Sequence, residues 1–413
     1  MKILILSDDF PPNNLGGAGI IAFNLAKAFN KMGHTLLVVT TVQDKDKEGV
    51  TEYEGLEIHR IYSNYHDRWR AYISLYNPQT VKEVRKIIKE FEPDIVHAHN
   101  VHSHLSYACL KVAKKSGAKV FLTAHDVMLF HYGKLVEYIN PKELYCPNKF
   151  NYKISSWQQI KRFKKRYNPF RNIIIKHYLK YVDKVFAVSN ALKDALNQNG
   201  IGNVEVIHNG IDVKEWQVSK DVVDEVKRKY GLSGKRVILF GGRISNAKGG
   251  INVIEAMKLV CSEEVNAVLL ILGKRDNYVE NLVKKFDVYG KNGIIVCTGW
   301  VGGEELKALY WSSDLIIVSS ICFDSFPNTN LEAMVSKKPV IGTCFGGTTE
   351  IIIDDETGYI VNPYDIQKLA GKISKILNNE QLAYTKGEAG YKRVKEHFSL
   401  EKQTKEVLYW YNR

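Results

Sequence analysis

The sequence predicts an α/β protein built from two Rossmann-like, doubly wound parallel-sheet domains. Short runs rich in Val, Ile and Leu are near-continuously apolar, as strands covered on both faces must be. Helical patterns fill several of the intervals between those runs, and the whole series starts again near residue 236. A length of 413 residues also exceeds what a single core usually organises.

In the first half the apolar runs are ILIL (3–6), LLVVTT (36–41), LEIHRIY (56–62), DIVHAH (94–99), VFLTAH (120–125), KVFAVS (184–189) and VEVIHN (204–209). Between them, GIIAFNLAKAFNKMG (19–33) and PQTVKEVRKIIKEF (78–91) place apolar residues three and four apart, the helical period. The second half repeats the scheme with RVILFGG (236–242), AVLLILG (267–273), GIIVCTG (293–299), LIIVSS (315–320), KPVIGT (338–343) and GYIV (358–361). The stretch 213–235 is polar and carries no strand signal, so the hinge is expected there, with domains at 1–212 and 213–395. Residues 126–183, with Pro141, Pro147 and Pro169, read as an irregular, partly helical insertion.

Apolar content of 45% and charged content of 25% exclude wholesale disorder. No run reaches membrane-spanning length, and MKILILSDDF turns acidic too soon for a signal peptide, so it reads as a first strand. The six cysteines include no C-x-x-C pair, and reduced thiols in a cytoplasmic protein are the expectation. The net charge of +13 is concentrated: residues 151–184 hold ten Lys or Arg against the single acid Asp183, interleaved with Tyr152, Trp157, Phe163, Tyr167, Phe170, Tyr178 and Tyr181. This segment is either a solvated helix face with its aromatics turned inward or a peripheral contact with anionic membrane. No nucleic-acid motif accompanies the charge, so no nucleic-acid partner is expected.

Polar groups gather where the apolar runs end, which is where open α/β sheets bind ligands. After the first run, DDFPPNNLGGAGI brings Gly16, Gly17 and Gly19 to the start of a helix, allowing close backbone approach to phosphate. The spacing is not G-x-G-x-x-G, and the second run ends in Thr40–Thr41 rather than an acid, which argues against a dinucleotide. After RVILF comes GGRISNAKGG, where Arg243 and Lys248 share one loop and suit a diphosphate. His125 ends the fifth run within TAHD. The cluster His97, His99, His102 and His104 lacks a carboxylate or cysteine at ligand spacing, so no metal site is expected there. The only D-x-D, Asp44–Lys45–Asp46, lies in a charged loop and reads as solvated.

The segment DSFPNTNLEAM (324–334) follows the buried run LIIVSS, so it reads as strand, loop, helix N-terminus. Asp324 is placed in the loop and Glu332 in the first helical turn, both toward one crevice. An ordinary helix start, capped by Asn328 or Thr329, accounts for one acid but not for two.

Together these residues resemble the retaining glycosyltransferases of family 4, with the two-domain GT-B fold. The resemblance covers essentially the whole chain: Gly16–Gly17, AHD (124–126), VSN (188–190), HNGID (208–212), G-R-x4-K-G (242–249), the acid-x7-Glu segment 324–332 and GGTTE (346–350). It implies two domains facing across a cleft, an N-terminal acceptor domain and a C-terminal donor domain, with the chain from about 396 packing back on the first. It implies that Arg243 and Lys248 grip the diphosphate of a nucleotide sugar, and that Glu332 accepts from the ribose hydroxyls. Asp324 would meet the donor sugar beside the backbone of Phe326, Pro327, Asn328, Thr329 and Asn330, with Glu350 in the same pocket. His125 would contact the transferred sugar, and Gly16–Gly17 would approach the phosphate. Transfer with retention, no metal and no cofactor beyond the donor is implied, with UDP favoured over GDP. The family commonly has Glu at position 324 and Gly at 327; Asp324 and Pro327 depart from it, and proline has no N–H to offer. The expected role is transfer to a glycan or lipid-linked acceptor in polysaccharide or glycoconjugate biosynthesis, in the cytoplasm or at the inner membrane face. The readings beside it are a soluble transferase making a small glycoside, and a non-catalytic relative acting as a partner subunit.

Overall fold

The computed structural model describes residues 1–12, 16–242, 244–261, 267–273, 276–289 and 294–413. The chain divides into two compact units, one formed by Met1–Lys134, Asn151–Gly210 and Leu400–Arg413, the other by Leu135–Phe150 and Ile211–Ser399. Each has one sheet, parallel throughout except for a single edge pairing in the N-terminal unit.

The N-terminal sheet contains β1 (Lys2–Ser7), β2 (Thr35–Val42), β3 (Gly49–Tyr53), β4 (Leu56–Tyr62), β5 (Ile95–His99), β6 (Lys119–Ala124), β7 (Lys184–Ala187) and β8 (Val204–Val206), in the order β3-β4-β2-β1-β5-β6-β7-β8. The central strands are buried on both faces, which is why their runs do not alternate. Strand β3 pairs antiparallel with β4 at the edge; its polar sequence GVTEY gave no apolar signal. Helix Gly17–Lys31 buries Ile21, Leu25 and Phe29 against Ile3, Ile5 and Val38, and the C-terminal helix Leu400–Tyr411 adds Val407 and Tyr411 to that core.

The C-terminal sheet contains β9 (Arg236–Phe240), β10 (Ala267–Ile271), β11 (Ile294–Cys297), β12 (Leu315–Val318), β13 (Val340–Thr343) and β14 (Gly358–Val361), in the order β11-β10-β9-β12-β13-β14. Its core joins Ile238, Phe240, Leu269, Ile271, Ile317 and Ile341 to Val253, Met257, Leu369 and Ile373 of flanking helices. Stepping outward from β9 on both sides creates a topological switch point between β9 and β12, the place where such sheets open a ligand crevice.

The units divide at Gly210–Ile211, two residues from the expected border between 212 and 213, and Lys220–Lys229 is helical. One expectation about organisation is corrected. Part of the expected insertion, Leu135–Phe150, packs with the C-terminal unit and not the N-terminal one. Its reason is local: Phe323 N–H donates to the Leu135 carbonyl (2.8 Å), Asn362 donates to the carbonyls of Glu143 and Tyr145 (2.7 and 2.9 Å), and Tyr138 packs edge-on to Phe323 and Phe345. The remainder forms helices Ser156–Phe163, opened by a Ser155–Gln158 capping box, and Arg171–Leu179. The basic segment is mixed in its packing: Tyr152, Tyr167 and Arg171 are buried, whereas Trp157, Phe170 and Ile173 stand exposed. Among the described residues no helix is long and apolar enough to cross a membrane.

Candidate functional site

In the C-terminal unit the carboxyl ends of β9 and β12 bring Lys248 and Asp324 together. The turn Asn246–Lys248 is laced to the end of β12, with Ile321 N–H donating to the Ala247 carbonyl (3.0 Å) and Ser319 Oγ to the Lys248 carbonyl (3.0 Å). Gly249 closes this turn at φ +74°, and a Cβ there would sit 2.1 Å from the Ser319 carbonyl oxygen. Only glycine meets both demands. The Lys248 ammonium pairs with Asp324 Oδ2, which also accepts from Ser320 Oγ at 2.7 Å. Burial opposes the lysine's charge, but attraction and hydrogen bonding to Asp324 prevail and hold its pKa above the ordinary value. The Asp324 backbone is gripped in turn: its carbonyl accepts from Gly347 N–H (2.9 Å), and Gly346, at φ +74°, passes so close that a Cβ would lie 2.1 Å from that oxygen.

Helix Asn328–Val335 starts beside this pair. Its N-cap is Pro327, without a side-chain cap bond, so the expected capping by Asn328 or Thr329 does not occur. Those two residues lie inside the first turn instead, and the amides of an uncapped helix start remain oriented outward. Glu332 is one position beyond the expected first turn, since the helix begins at Asn328. Its carboxylate accepts a 2.5 Å hydrogen bond from the Tyr310 hydroxyl, and burial raises its pKa against the opposing pull of that bond. Thr329 also hydrogen-bonds Tyr310 and packs against Gly241, where a Cβ would lie 2.6 Å from the threonine methyl. Asn330 is buried with Nδ2 3.5 Å from Thr348 Oγ1, and its Oδ1 has no partner. Phe326 packs on Phe398 with ring centroids 5.7 Å apart. Glu350 lies in helix Thr348–Ile351, and its carbonyl accepts from Arg393 (2.8 Å). Arg243 lies outside the described residues.

In the N-terminal unit, Gly16 is the N-cap of helix Gly17–Lys31, again without a side-chain cap, and Gly17 is its first residue. Gly19 is pressed on Asp9, whose carbonyl oxygen a Cβ would meet at 2.6 Å. His125 follows β6 directly. Its Nε2 lies 2.9 Å from Nδ1 of His99 on β5, and the two rings stack at 24° with centroids 5.2 Å apart. One pleat back, His97 lies 4.2 Å from His99 ring to ring and bonds Tyr411 Oη (2.6 Å) and Thr123 Oγ1 (2.7 Å). Burial depresses His125 to about 4 and His97 to about 3. Both rings are therefore neutral near pH 7.

The structure thus assembles Lys248, Asp324, Phe326 to Asn330 and Glu332 around one switch point, and it sets His125 on a histidine ladder in the other unit. Ser320 and Tyr310 were not anticipated. Ser320, a hydroxyl just past the end of β12, left a faint signal; Tyr310, in a helix 22 positions from its partner, left none. Among the described residues no group of His, Cys, Asp and Glu is arranged to hold a metal ion.

Comparison with known proteins bears on both units. The family model for Glycosyltransferase Family 4 matches residues 15–215, and that for Glycosyl transferases group 1 matches residues 222–393. An uncharacterized glycosyltransferase of Methanocaldococcus jannaschii is 26% identical over 387 residues, covering 92% of this chain and 90% of that protein. Sucrose-phosphate synthase from Thermosynechococcus elongatus superposes with a TM-score of 0.75 at 19% identity, covering 100% of this chain and 98% of the other. HepE of Anabaena, solved in complex with UDP, superposes with a TM-score of 0.70 at 18% identity, covering 99% and 98%. The chain belongs to the group 1 glycosyltransferases of family 4 and has their GT-B fold.

Proposed function

We propose that this glycosyltransferase moves a sugar, with retention of configuration and without a bound metal, from a UDP-sugar to a glycan or lipid-linked acceptor. The observation that supports this most is the Lys248–Asp324 pair at the switch point. An ammonium has three N–H donors, so Lys248 can keep Asp324 and still offer protons to a diphosphate. Asp324 fixes the cation before the donor arrives, and little reorganisation is needed as charge builds on the leaving group. In the reaction the bond between the anomeric carbon and the diphosphate oxygen breaks, and the acceptor oxygen bonds to that carbon on the same face. The acceptor's proton passes to the departing phosphate, so no side-chain base is required. Glu332, oriented by Tyr310, accepts from the ribose hydroxyls; Arg243 assists Lys248. The amides from Phe326 to Asn330, with Glu350 nearby, line the sugar pocket, although Pro327 contributes none. His125 contacts the transferred sugar, and Gly16–Gly17 approach the phosphate. The HepE complex supports UDP as the nucleotide.

Peripheral contact with the inner face of an anionic membrane is part of this reading. Its support is the exposure of Trp157, Phe170 and Ile173 (72%, 66% and 67%) within the segment that carries ten cations.

Thermal-shift screening against UDP, GDP, ADP and their sugars tests the donor, because a ligand bound to the folded state raises the melting temperature by mass action. UDP compounds are expected to stabilise most, and Lys248→Ala to reduce transfer by about a thousandfold, the scale of one preorganised charge contact. Transfer unaffected by Lys248→Ala overturns the assignment. Sedimentation with anionic and neutral vesicles tests the membrane part, with binding expected to anionic vesicles only and to weaken in salt.

A further inference from the structure

We infer that His99 is a positioning residue: it donates its Nδ1 proton to Nε2 of His125 and so locks His125 in the tautomer that carries its proton on Nδ1. His125 then meets its ligand as a hydrogen-bond donor. The inference rests on the reading of His125 as a sugar contact, and it specifies what that contact is.

The argument starts from an orphan atom. His99 is fully buried, and its Nε2 has no hydrogen-bond partner. Its other nitrogen, Nδ1, lies 2.9 Å from His125 Nε2, so one proton sits between two ring nitrogens. A neutral imidazole has one N–H and one lone pair. If His125 donated, the N–H of His99 would have to be on Nε2, a buried donor without an acceptor, which native proteins rarely tolerate. If His99 donates, only a lone pair is left unmatched. Double protonation would place a cation in a site from which water is excluded; burial drives His99 well below its ordinary value.

The surroundings hold His99 in place for this task. His97, two residues back on the same face of β5, covers its ring at 4.2 Å and is itself pinned by Tyr411 and Thr123. The ladder therefore runs from Tyr411 of the C-terminal helix through His97 and His99 to His125 at the strand end. A donor at His125 suits a sugar hydroxyl oxygen and cannot take a proton from the acceptor, in keeping with deprotonation by the leaving phosphate.

Two measurements on the full chain decide the matter. Nitrogen NMR of the histidine-labelled protein, with the His125 signals identified by their loss in His125→Ala, is expected to show Nδ1 protonated and Nε2 bare; the reverse overturns the inference. Asparagine places an amide close to the imidazole Nδ1 position, whereas leucine keeps bulk without a donor. We expect His99→Leu to lower kcat for sugar transfer by about tenfold or more while UDP binding stays within about twofold, and His99→Asn to recover most of the loss. If His125→Ala is impaired but His99→Leu and His99→Asn both match the parent, the positioning role is wrong and the His125 reading stands. If His125→Ala transfers sugar at the parent rate, the His125 reading itself is wrong. Should His99→Leu fail to fold, the NMR result on the unsubstituted protein still decides.

Discussion

Lys248 and Asp324 are useful to each other in a way neither residue type shows alone. The carboxylate keeps a buried ammonium charged, and the ammonium justifies a carboxylate among apolar strand ends. The histidine ladder has a cost of a different kind, because rings that stay neutral in the fold take up protons once unfolded. His97 titrates at about 3 in the fold against 6.5 ordinarily. Between those values the unfolded state binds more protons, so stability rises with pH there and is lost on acidification. At pH 5 one such ring costs about 2 kcal/mol. Asp8 works in the opposite sense: burial lifts it to about 7 against amide donors from Leu105, Ser103 and His104, so its folded form takes up a proton on acidification. A difference measurement isolates the ladder. The fall in melting temperature from pH 7 to pH 5 should be smaller by several degrees in His97→Asn than in the parent. An unchanged fall would mean that His97 is already charged in the fold. The residue types of the site were legible because Lys, Asp, Glu and His at strand ends announce chemistry. Their partners Tyr310 and His99 were not, because hydrogen bonds between positions more than twenty apart leave no spacing to read, whereas Ser320, four positions before Asp324, left a faint signal.

The elements around the site depend on glycines that serve as spacers. Gly249 and Gly346 each combine a positive φ with an approach that leaves no room for a methyl group. Gly346→Ala should therefore displace the Asp324 backbone. We expect at least about 2 kcal/mol of destabilisation, from strain and overlap together, and weaker nucleotide binding. Chemical denaturation and UDP titration would check it, and a variant with parent-like stability and affinity would show that the loop relaxes without effect. The buried strands and the helices Gly17–Lys31 and Pro78–Phe91 were foretold, since unbroken apolar runs and periods of 3.6 are set by which faces must leave water. Strand β3 escaped because its sequence GVTEY has no apolar run: Val50 is exposed, and only Tyr53 reaches the core, against Phe23. The start of helix Asn328–Val335 was misplaced for a similar reason: its sequence offers attractive caps, and the loop geometry fixed by Asp324 and Gly347 overrode them.

At the scale of the whole molecule, sequence order and structural membership do not coincide. The restart of the β/α series was plain, and so was the existence of two units. The affiliation of Leu135–Phe150 was hidden, because aromatics such as Tyr138 and Phe150 signal burial without saying where. The return of the C-terminal helix makes a further prediction. Val407 and Tyr411 fill the N-terminal core beside Phe29 and Phe121. Removing residues 400–413 should open an apolar face and destabilise that unit by several kcal/mol, at roughly 1.5–3 kcal/mol for each large side chain lost. Tyr411→Phe should keep the packing and cost about 1 kcal/mol, the scale of its single bond to His97. Paired melting curves would distinguish packing from hydrogen bonding; a stable, soluble truncation would show that the helix is dispensable.

The membership of Leu400–Arg413 in the N-terminal unit also sets a timetable for synthesis. Domains commonly fold in the order in which they leave the ribosome. Here the unit that begins first lacks helix Leu400–Tyr411 until those residues are translated, whereas the residues of the C-terminal unit, up to Ser399, have been made before then. The part begun first is thus completed after the part begun second. Its open core must wait through the translation of nearly two hundred intervening residues, which makes this nascent chain a natural client for chaperones that shield apolar surface.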